Sequence, residues 1–446
     1  MSGSELAPGL VIAAPSSGSG KTTITLGLLR ACRDIGMTVG SAKCGPDYID
    51  PKFHEAASGS ACINLDGWAM RPAVLDQLAA VAAGAVDLLV IEGVMGLFDG
   101  APQPGATDTG STAELAARMG WPVVLVVDTR AQAQSVAALV RGFRDHHEGI
   151  SLVGVILNRV AGDRHVRTLT LALGEIDVVV LGSVPRFDRL DIPERYLGLV
   201  QAVEHSDLEG FIAAAGRTIR AHVDLDSLRA FARPSTRRLK GNGTWGFSPP
   251  GQRVAVAHDP AFSFSYSHVL EAWRCAGVEV LHFAPLLDQG PDSNADAVYL
   301  PGGYPELHAG RLAGCQRFLD GLRGAAEAGK PVLGECGGYM VLGDRLVDKG
   351  GVVHRMAGLL SLESSFVERR LSLGYRSART YADTALGPAG SGFRGHEFHY
   401  ATVMREGGDE PLFMIRDAEG TELGEAGLRR GSVLGSFLHL IDQSEP

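Results

Sequence analysis

The chain has no Cys-x-x-Cys pair. Its six cysteines, Cys32, Cys44, Cys62, Cys275, Cys315 and Cys336, are scattered over 446 residues, which argues against a zinc site or a redox dithiol. No apolar run approaches the roughly 20 residues of a membrane span, so no membrane partner is expected. The opening MSGSELAPG lacks a basic stretch followed by an apolar core, so no secretory signal is read there. Basic charge is not in surplus either. A net charge of -10 disfavours nucleic acid as a partner, although a local basic pocket in an acidic protein can still take an anionic small molecule. These absences together point to a cytoplasmic protein with reduced thiols.

What is present is ordinary globular material. Hydrophobic residues make up 45% and charged residues 21%, enough for the cores of two or three domains at this length. In the first half, the apolar runs GLVIAA (9–14), DLLVIEG (87–93), PVVLVVD (122–128) and LVGVILN (152–158) alternate with helical stretches. Near-continuous Val/Ile/Leu strands between helices indicate a parallel, doubly wound sheet. The composition shifts to Pro, Gly, Ser and basic residues over 232–252, which reads as a linker. Strand–helix alternation then restarts at RVAVAHD. The expected domains are 1–231 and 253–446, both α/β, with no internal repeat relating them.

A further absence sits in AAPSSGSGKTT (13–23). Phosphate loops usually follow G-x-x-x-x-G-K-[ST], but Pro15 stands where the first glycine belongs. The strand, turn and helix order is nonetheless that of such a loop, in which backbone N–H groups wrap a phosphate. Ser17, Gly18, Ser19, Gly20, Lys21, Thr22 and Thr23 form the expected ATP-binding segment. Lys21 would reach the terminal phosphates and Thr22 would ligate Mg²⁺. Glu92, at the end of an apolar run, is the expected strand-end acid that holds the metal or its water. In AKCGPDYIDPKFH (42–54), Lys43, Asp47 and Asp50 crowd a segment stiffened by two prolines. Paired carboxylates there suit Mg²⁺, and Asx-type turns suit them equally.

These motifs resemble those of the cobyrinic and hydrogenobyrinic acid a,c-diamide synthases of cobalamin biosynthesis. The ATP domain of that family is similar to dethiobiotin synthetase, whose phosphate loop also deviates from the usual form. The resemblance covers essentially the whole chain. Cobyric acid synthases share both domains but typically carry an Asn-rich segment where this chain has GPDYIDP. The resemblance implies transfer of the γ-phosphate of ATP to a substrate carboxylate, giving an acyl phosphate. It implies a metal- or substrate-site role for Glu92, Asp47 and Asp50, a phosphoryl-steadying role for Lys43, and an adenine-facing position for Asn158.

In the second half, PVLGECGGYMVLG (331–343) places Cys336 between an apolar strand and a glycine-opened helix. This is the cysteine form of a nucleophile elbow, in which the helix start is expected to lower the thiol pKa. GSFLHLID offers His439 as base, ahead of His396 and His399 in GFRGHEFHY. LPGGYPE supplies Gly302 and Gly303, and N–H groups at Gly303 and Gly337 would make an oxyanion hole. The set resembles a class I glutamine amidotransferase, which releases ammonia from glutamine through a thioester. One absence matters here. The glutamate that orients the histidine in His-x-Glu is replaced by Ile441, as in the cobyrinic-type subfamily, and Glu397 is a weaker local candidate.

The expected activity is therefore ATP-dependent amidation of the a and c acetates of a corrin polycarboxylate, using ATP, glutamine and Mg²⁺. Arg186, Arg189 and Arg195 are candidate cations for that substrate, or members of a solvated charged face. Amidation of another tetrapyrrole such as a nickel sirohydrochlorin, or a regulatory P-loop ATPase with a dead amidotransferase half, are the alternatives. A homodimer is left open.

Overall fold

The computed structural model describes residues 6–186, 194–195, 198–199, 207–237 and 245–444. The chain divides into two compact units, one essentially 1–243 and the other 244–446. The short segments Ala69–Arg71 and Pro102–Ala106 group with the second. Within the stretch read as a linker, Arg233 bridges to Gly9 and Thr236 N–H donates to Met119 O, so that part docks on the first unit.

The first unit holds a seven-stranded sheet. Its strands are β1 (Gly9–Ala13), β2 (Val39–Cys44), β3 (Cys62–Leu65), β4 (Leu88–Glu92), β5 (Val123–Asp128), β6 (Leu152–Val160) and β7 (Val180–Pro185). Their order is β3-β2-β4-β1-β5-β6-β7, and every pairing is parallel. β1 through β5 are buried along almost their whole length, as sheets covered on both faces require. Parallel strands all end on the same side, where open α/β sheets bind ligands. The loops after β1, β2, β4 and β6 therefore share one rim. That rim collects the phosphate loop, Lys43, Glu92 and Asn158.

The second unit is built on a ten-stranded sheet. Five strands are parallel: Glu279–Phe283, Arg253–Ala257, Ala297–Leu300, Val332–Glu335 and Val433–Ser436, in that spatial order. The sheet continues antiparallel through Glu422–Arg430, Glu410–Arg416, Ser372–Thr380, Gly392–His399 and Leu438–Gln443. A separate four-stranded sheet lies within 345–406. The core under the parallel half includes Phe262, Phe318, Leu300, Leu322, Val332 and Tyr339. Among the described residues, no helix is long and apolar enough to cross a membrane.

Candidate functional site

The phosphate loop joins β1 to helix α1 (Lys21–Asp34). Gly20 caps the helix at φ 89° and Gly18 sits at φ 76°, conformations that glycine adopts without strain. A Cβ on Gly20 would also collide with Asn158 Nδ2. Asn158 Nδ2 donates to Ser19 O at 2.9 Å, and Asn158 Oδ1 accepts from Arg159 N–H at 2.9 Å. Arg159 Nη1 donates to Gly18 O at 2.7 Å. The end of β6 thus braces the loop from outside. Asn158 also lines a cleft beside Gly20 and Thr23, with Arg130, Arg159 and Arg186 around it. Ser19 Oγ closes the turn onto Ser16 O at 2.9 Å. Pro15 does not break the loop: Leu97 N–H donates to Ala14 O beside it.

The structure brings together Lys21, Thr22, Lys43, Asp47, Asp50 and Glu92. Lys43 and Glu92 are register partners on β2 and β4. Lys43 Nζ donates to Asp50 Oδ2 at 2.6 Å and to Glu92 Oε1 at 2.9 Å. Thr22 Oγ1 donates to Glu92 Oε1 at 2.7 Å, and Lys21 Nζ donates to Met95 O in the loop after β4. Asp47 Oδ1 accepts from the N–H groups of Ile49 and Asp50, closing the turn into helix α2 (Asp50–Ser58). That carboxylate therefore performs the turn role while its charge still acts on Lys43 and Asp50.

Burial sets the charge balance of this cluster. Desolvation would lower Lys43, but the charges of Asp50 and Glu92 outweigh it and hold Lys43 well above the usual lysine value. Desolvation, then Lys43, lowers Lys21 to about 8. Burial and Asp47 push Asp50 up to about 7 against the pull of Lys43. Burial would raise Glu92 too, but Lys43, His54 and Thr22 hold it far below the usual carboxylate range.

Two further buried residues, His54 and Asn64, join this cluster without belonging to a recognisable motif. His54 Nε2 lies 2.6 Å from Glu92 Oε2, and its Nδ1 faces Cys62 Sγ at 3.5 Å. Asn64 Nδ2 donates to Gly45 O and Asp47 O, at 3.0 and 2.6 Å. A signal for His54 existed: it stands four residues after Asp50 on one helix, so both side chains share a face. The donor set of Thr22 and Glu92 is all oxygen, as Mg²⁺ prefers, and leaves further ligands to phosphate and water. Among the described residues no three His, Cys, Asp or Glu side chains are grouped so as to hold a metal ion by themselves.

In the second unit, Cys336 ends the strand Val332–Glu335 and caps the helix Gly337–Leu342. Its backbone has φ 46° and ψ −103°, a rare conformation for a residue with a Cβ and characteristic of a nucleophile elbow. Surrounding glycines let the elbow close. A Cβ on Gly338 would overlap Leu300 O, and one on Gly303 would overlap Ala261 O. His439 lies on Leu438–Gln443 and is 1% exposed. A Cβ on Gly302 would overlap His439 Cε1 and would sit 3.1 Å from Nε2 and 3.3 Å from Cys336 Cβ. The expected base and the expected nucleophile therefore converge on one bare glycine. A Cβ on Gly337 would meet Gly303 N at 2.9 Å, so the two expected oxyanion donors are neighbours. Gly303 N–H has no backbone acceptor among the described residues.

The expected lowering of the thiol pKa is corrected. Burial, followed by the charge of Glu306, pushes the Cys336 thiol well up, and only the Gly337 N–H acts the other way. Burial, with His396 and His399, pushes His439 down to about 3. His396 is opposite His439 on the neighbouring strand. Glu397 bonds His399 Nε2 at 3.0 Å and Arg376 Nε at 2.8 Å, so both of its oxygens are engaged. Of the three candidate corrin-binding arginines, Arg186 lines the cleft by the phosphate loop. Arg189 and the side chain of Arg195 fall outside the described residues.

Comparison with known proteins follows the same division. Residues 10–200 match the CobQ/CobB/MinD/ParA nucleotide binding domain. Residues 253–446 match the CobB/CobQ-like glutamine amidotransferase domain. A hydrogenobyrinate a,c-diamide synthase of Rhodobacter capsulatus is 54% identical over 438 residues, 98% of this chain and 99% of that protein. Proteins of the same name from Sinorhizobium sp and Rhizobium meliloti are each 52% identical, over 97% and 98% of this chain and 98% and 100% of theirs. On that identity and coverage, the chain belongs to the hydrogenobyrinate a,c-diamide synthase family.

Proposed function

We propose that the chain converts hydrogenobyrinate to its a,c-diamide, with one ATP and one glutamine consumed for each amide. The observation that carries this reading is the pairing, in one chain, of a braced phosphate loop ending in a buried Lys43–Asp50–Glu92 cluster with a Cys336–His439 elbow. The first is equipped to activate a carboxylate, the second to release ammonia.

In the second unit, His439 takes the thiol proton as Cys336 Sγ attacks the amide carbon of glutamine. The N–H groups of Gly303 and Gly337 receive the developing oxyanion. His439 returns the proton to the departing ammonia, and water then cleaves the thioester to glutamate. In the first unit, Lys21 and the loop N–H groups hold the β- and γ-phosphates. A substrate carboxylate oxygen attacks the γ-phosphorus, and ADP leaves. Thr22 and Glu92 would hold Mg²⁺, which supplies charge neutralisation on the phosphates. Lys43 steadies the transferring phosphoryl group, and Asp50 faces the ammonia that displaces phosphate from the acyl phosphate. Work in the cytoplasm suits six cysteines that are all free.

The test is incubation with ATP, Mg²⁺ and glutamine against a panel of cobalt-free and cobalt-containing corrinoids and nickel sirohydrochlorin, read by mass spectrometry. Hydrogenobyrinate should pass through a monoamide to a diamide. Preferred amidation of another tetrapyrrole would reassign the substrate, and no amidation of any would refute the ligase reading.

A further inference from the structure

Ile441 stands where class I amidotransferases carry the glutamate that orients the histidine, and it is buried. An apolar side chain fills that place, so the base strand must be held by other means. The parallel ladder between Val332–Glu335 and Val433–Ser436 ends at the pair Glu335–Ser436. One more backbone bond follows, from Cys336 N–H to Ser436 O at 2.8 Å. Beyond it the chain pairs with Gly392–His399 instead. Here the Glu335 carboxylate takes over. Its Oε1 accepts from Leu440 N–H at 3.2 Å, and its Oε2 accepts from Tyr299 OH at 2.7 Å. Glu335 is 2% exposed and Tyr299 3% exposed, so water does not compete for either bond. His439 thus lies in a short span whose two ends, Ser436 and Leu440, are both fastened to residues 335 and 336.

We propose that Glu335, braced by Tyr299, is the positioning residue for His439: it fixes the base relative to Cys336 through the backbone of the next residue. The inference rests on the assignment of Cys336 and His439 to glutamine hydrolysis. What the tether needs is an acceptor oxygen, not a full charge. In keeping with that, burial pushes Glu335 up to about 7 while Tyr299 and Leu440 N–H pull it down. The carboxyl precedes the nucleophile by one residue, so a single strand end presents both the attacking sulfur and the hold on its base.

The test compares full-length Glu335→Leu, Glu335→Gln, Tyr299→Phe and His439→Ala by glutaminase kinetics and by synthesis driven with glutamine or with ammonium salt. In Glu335→Leu, glutaminase kcat should fall about 100-fold, the scale for a displacement of about 1 Å in a catalytic group. KM for glutamine should stay within about threefold, since ground-state binding is untouched, and ammonia-driven synthesis should be unchanged. Glu335→Gln keeps a carbonyl acceptor for Leu440 N–H and should recover most of the lost kcat. Tyr299→Phe should lie between the two. Wild-type glutaminase kcat in Glu335→Leu overturns the tether. So does a loss in Glu335→Gln as deep as in Glu335→Leu, which would make Glu335 a charge partner of the imidazole. If Glu335→Leu fails to fold, Tyr299→Phe decides, and an undiminished kcat there overturns the proposal. If His439→Ala keeps its glutaminase activity, the underlying assignment falls. If it loses that activity while Glu335→Leu does not, only the tether falls.

Discussion

Cys336 shows how far a local motif can mislead about a charge state. The strand-turn-helix pattern correctly marks an elbow, and a helix start does favour a thiolate. Yet the thiol is 2% exposed, and desolvation together with Glu306 outweighs the Gly337 N–H. With His439 held at about 3, the resting pair is a neutral thiol and a neutral imidazole. A thiol raised above its ordinary value stays protonated at pH 7, and its thiolate fraction grows as pH rises. Alkylation of Cys336 by iodoacetamide without glutamine should therefore be slow at pH 7 and climb about tenfold per pH unit into the alkaline range. The site-specific rate can be read by mass spectrometry from pH 5 to 10. A plateau already reached by pH 6 would show a thiolate–imidazolium pair and contradict this account.

The elements that place the first site depend on one another. The phosphate loop is shaped by its glycines, but it is also held by Asn158 and Arg159 at the end of β6. Lys21 points from the helix start into the loop after β4. Removing that cation should abolish acyl phosphate formation. Lys21→Ala is therefore expected to lose amidation about 10³-fold with glutamine or ammonium salt alike, while glutaminase activity in the second unit persists. Near-normal ammonia-driven synthesis would refute the loop's role. The loop was legible because its strand, turn and helix are contiguous and each has a strong local pattern. β2, VGSAKC, carries no strand signal in the sequence, because short side chains and one lysine give no apolar run even though every residue in it is buried. The antiparallel strands Ser372–Thr380 and Gly392–His399 were hidden for another reason. They are only partly buried, and their arginine, glutamate and histidine side chains interrupt any apolar alternation. His54, Asn64 and Glu335 could not be assigned partners from sequence, since Glu92 lies 38 residues from His54 and Leu440 lies 105 from Glu335.

At the scale of the whole chain, the proposed reading joins glutamine hydrolysis in one unit to carboxylate activation in the other by way of ammonia. Cys336→Ala should remove glutamine-driven synthesis, leave synthesis from high ammonium salt near its wild-type rate, and leave ATP use intact. The ratio of the two rates measures this directly, and persistent glutaminase activity in that variant would displace Cys336 as nucleophile. The whole chain also acts as an electric object on its anionic substrates. It carries a net charge of -10, yet the cleft beside the phosphate loop gathers Arg130, Arg159 and Arg186, offset there by Asp128, which pairs with the first two. The two fields have different reach. At about 0.01 M salt the screening length is roughly 30 Å, and the repulsion of the entire chain reaches an incoming nucleotide. Near 0.1 M it shrinks to about 10 Å, which mutes that distant repulsion but spares the cleft, and near 1 M, at about 3 Å, the cleft is muted as well. Nucleotide capture should accordingly be fastest at intermediate ionic strength, so kcat/KM for ATP at fixed free Mg²⁺ should pass through a maximum as salt is raised. A steady rise or fall across that range would mean that one of the two fields plays no part in the encounter.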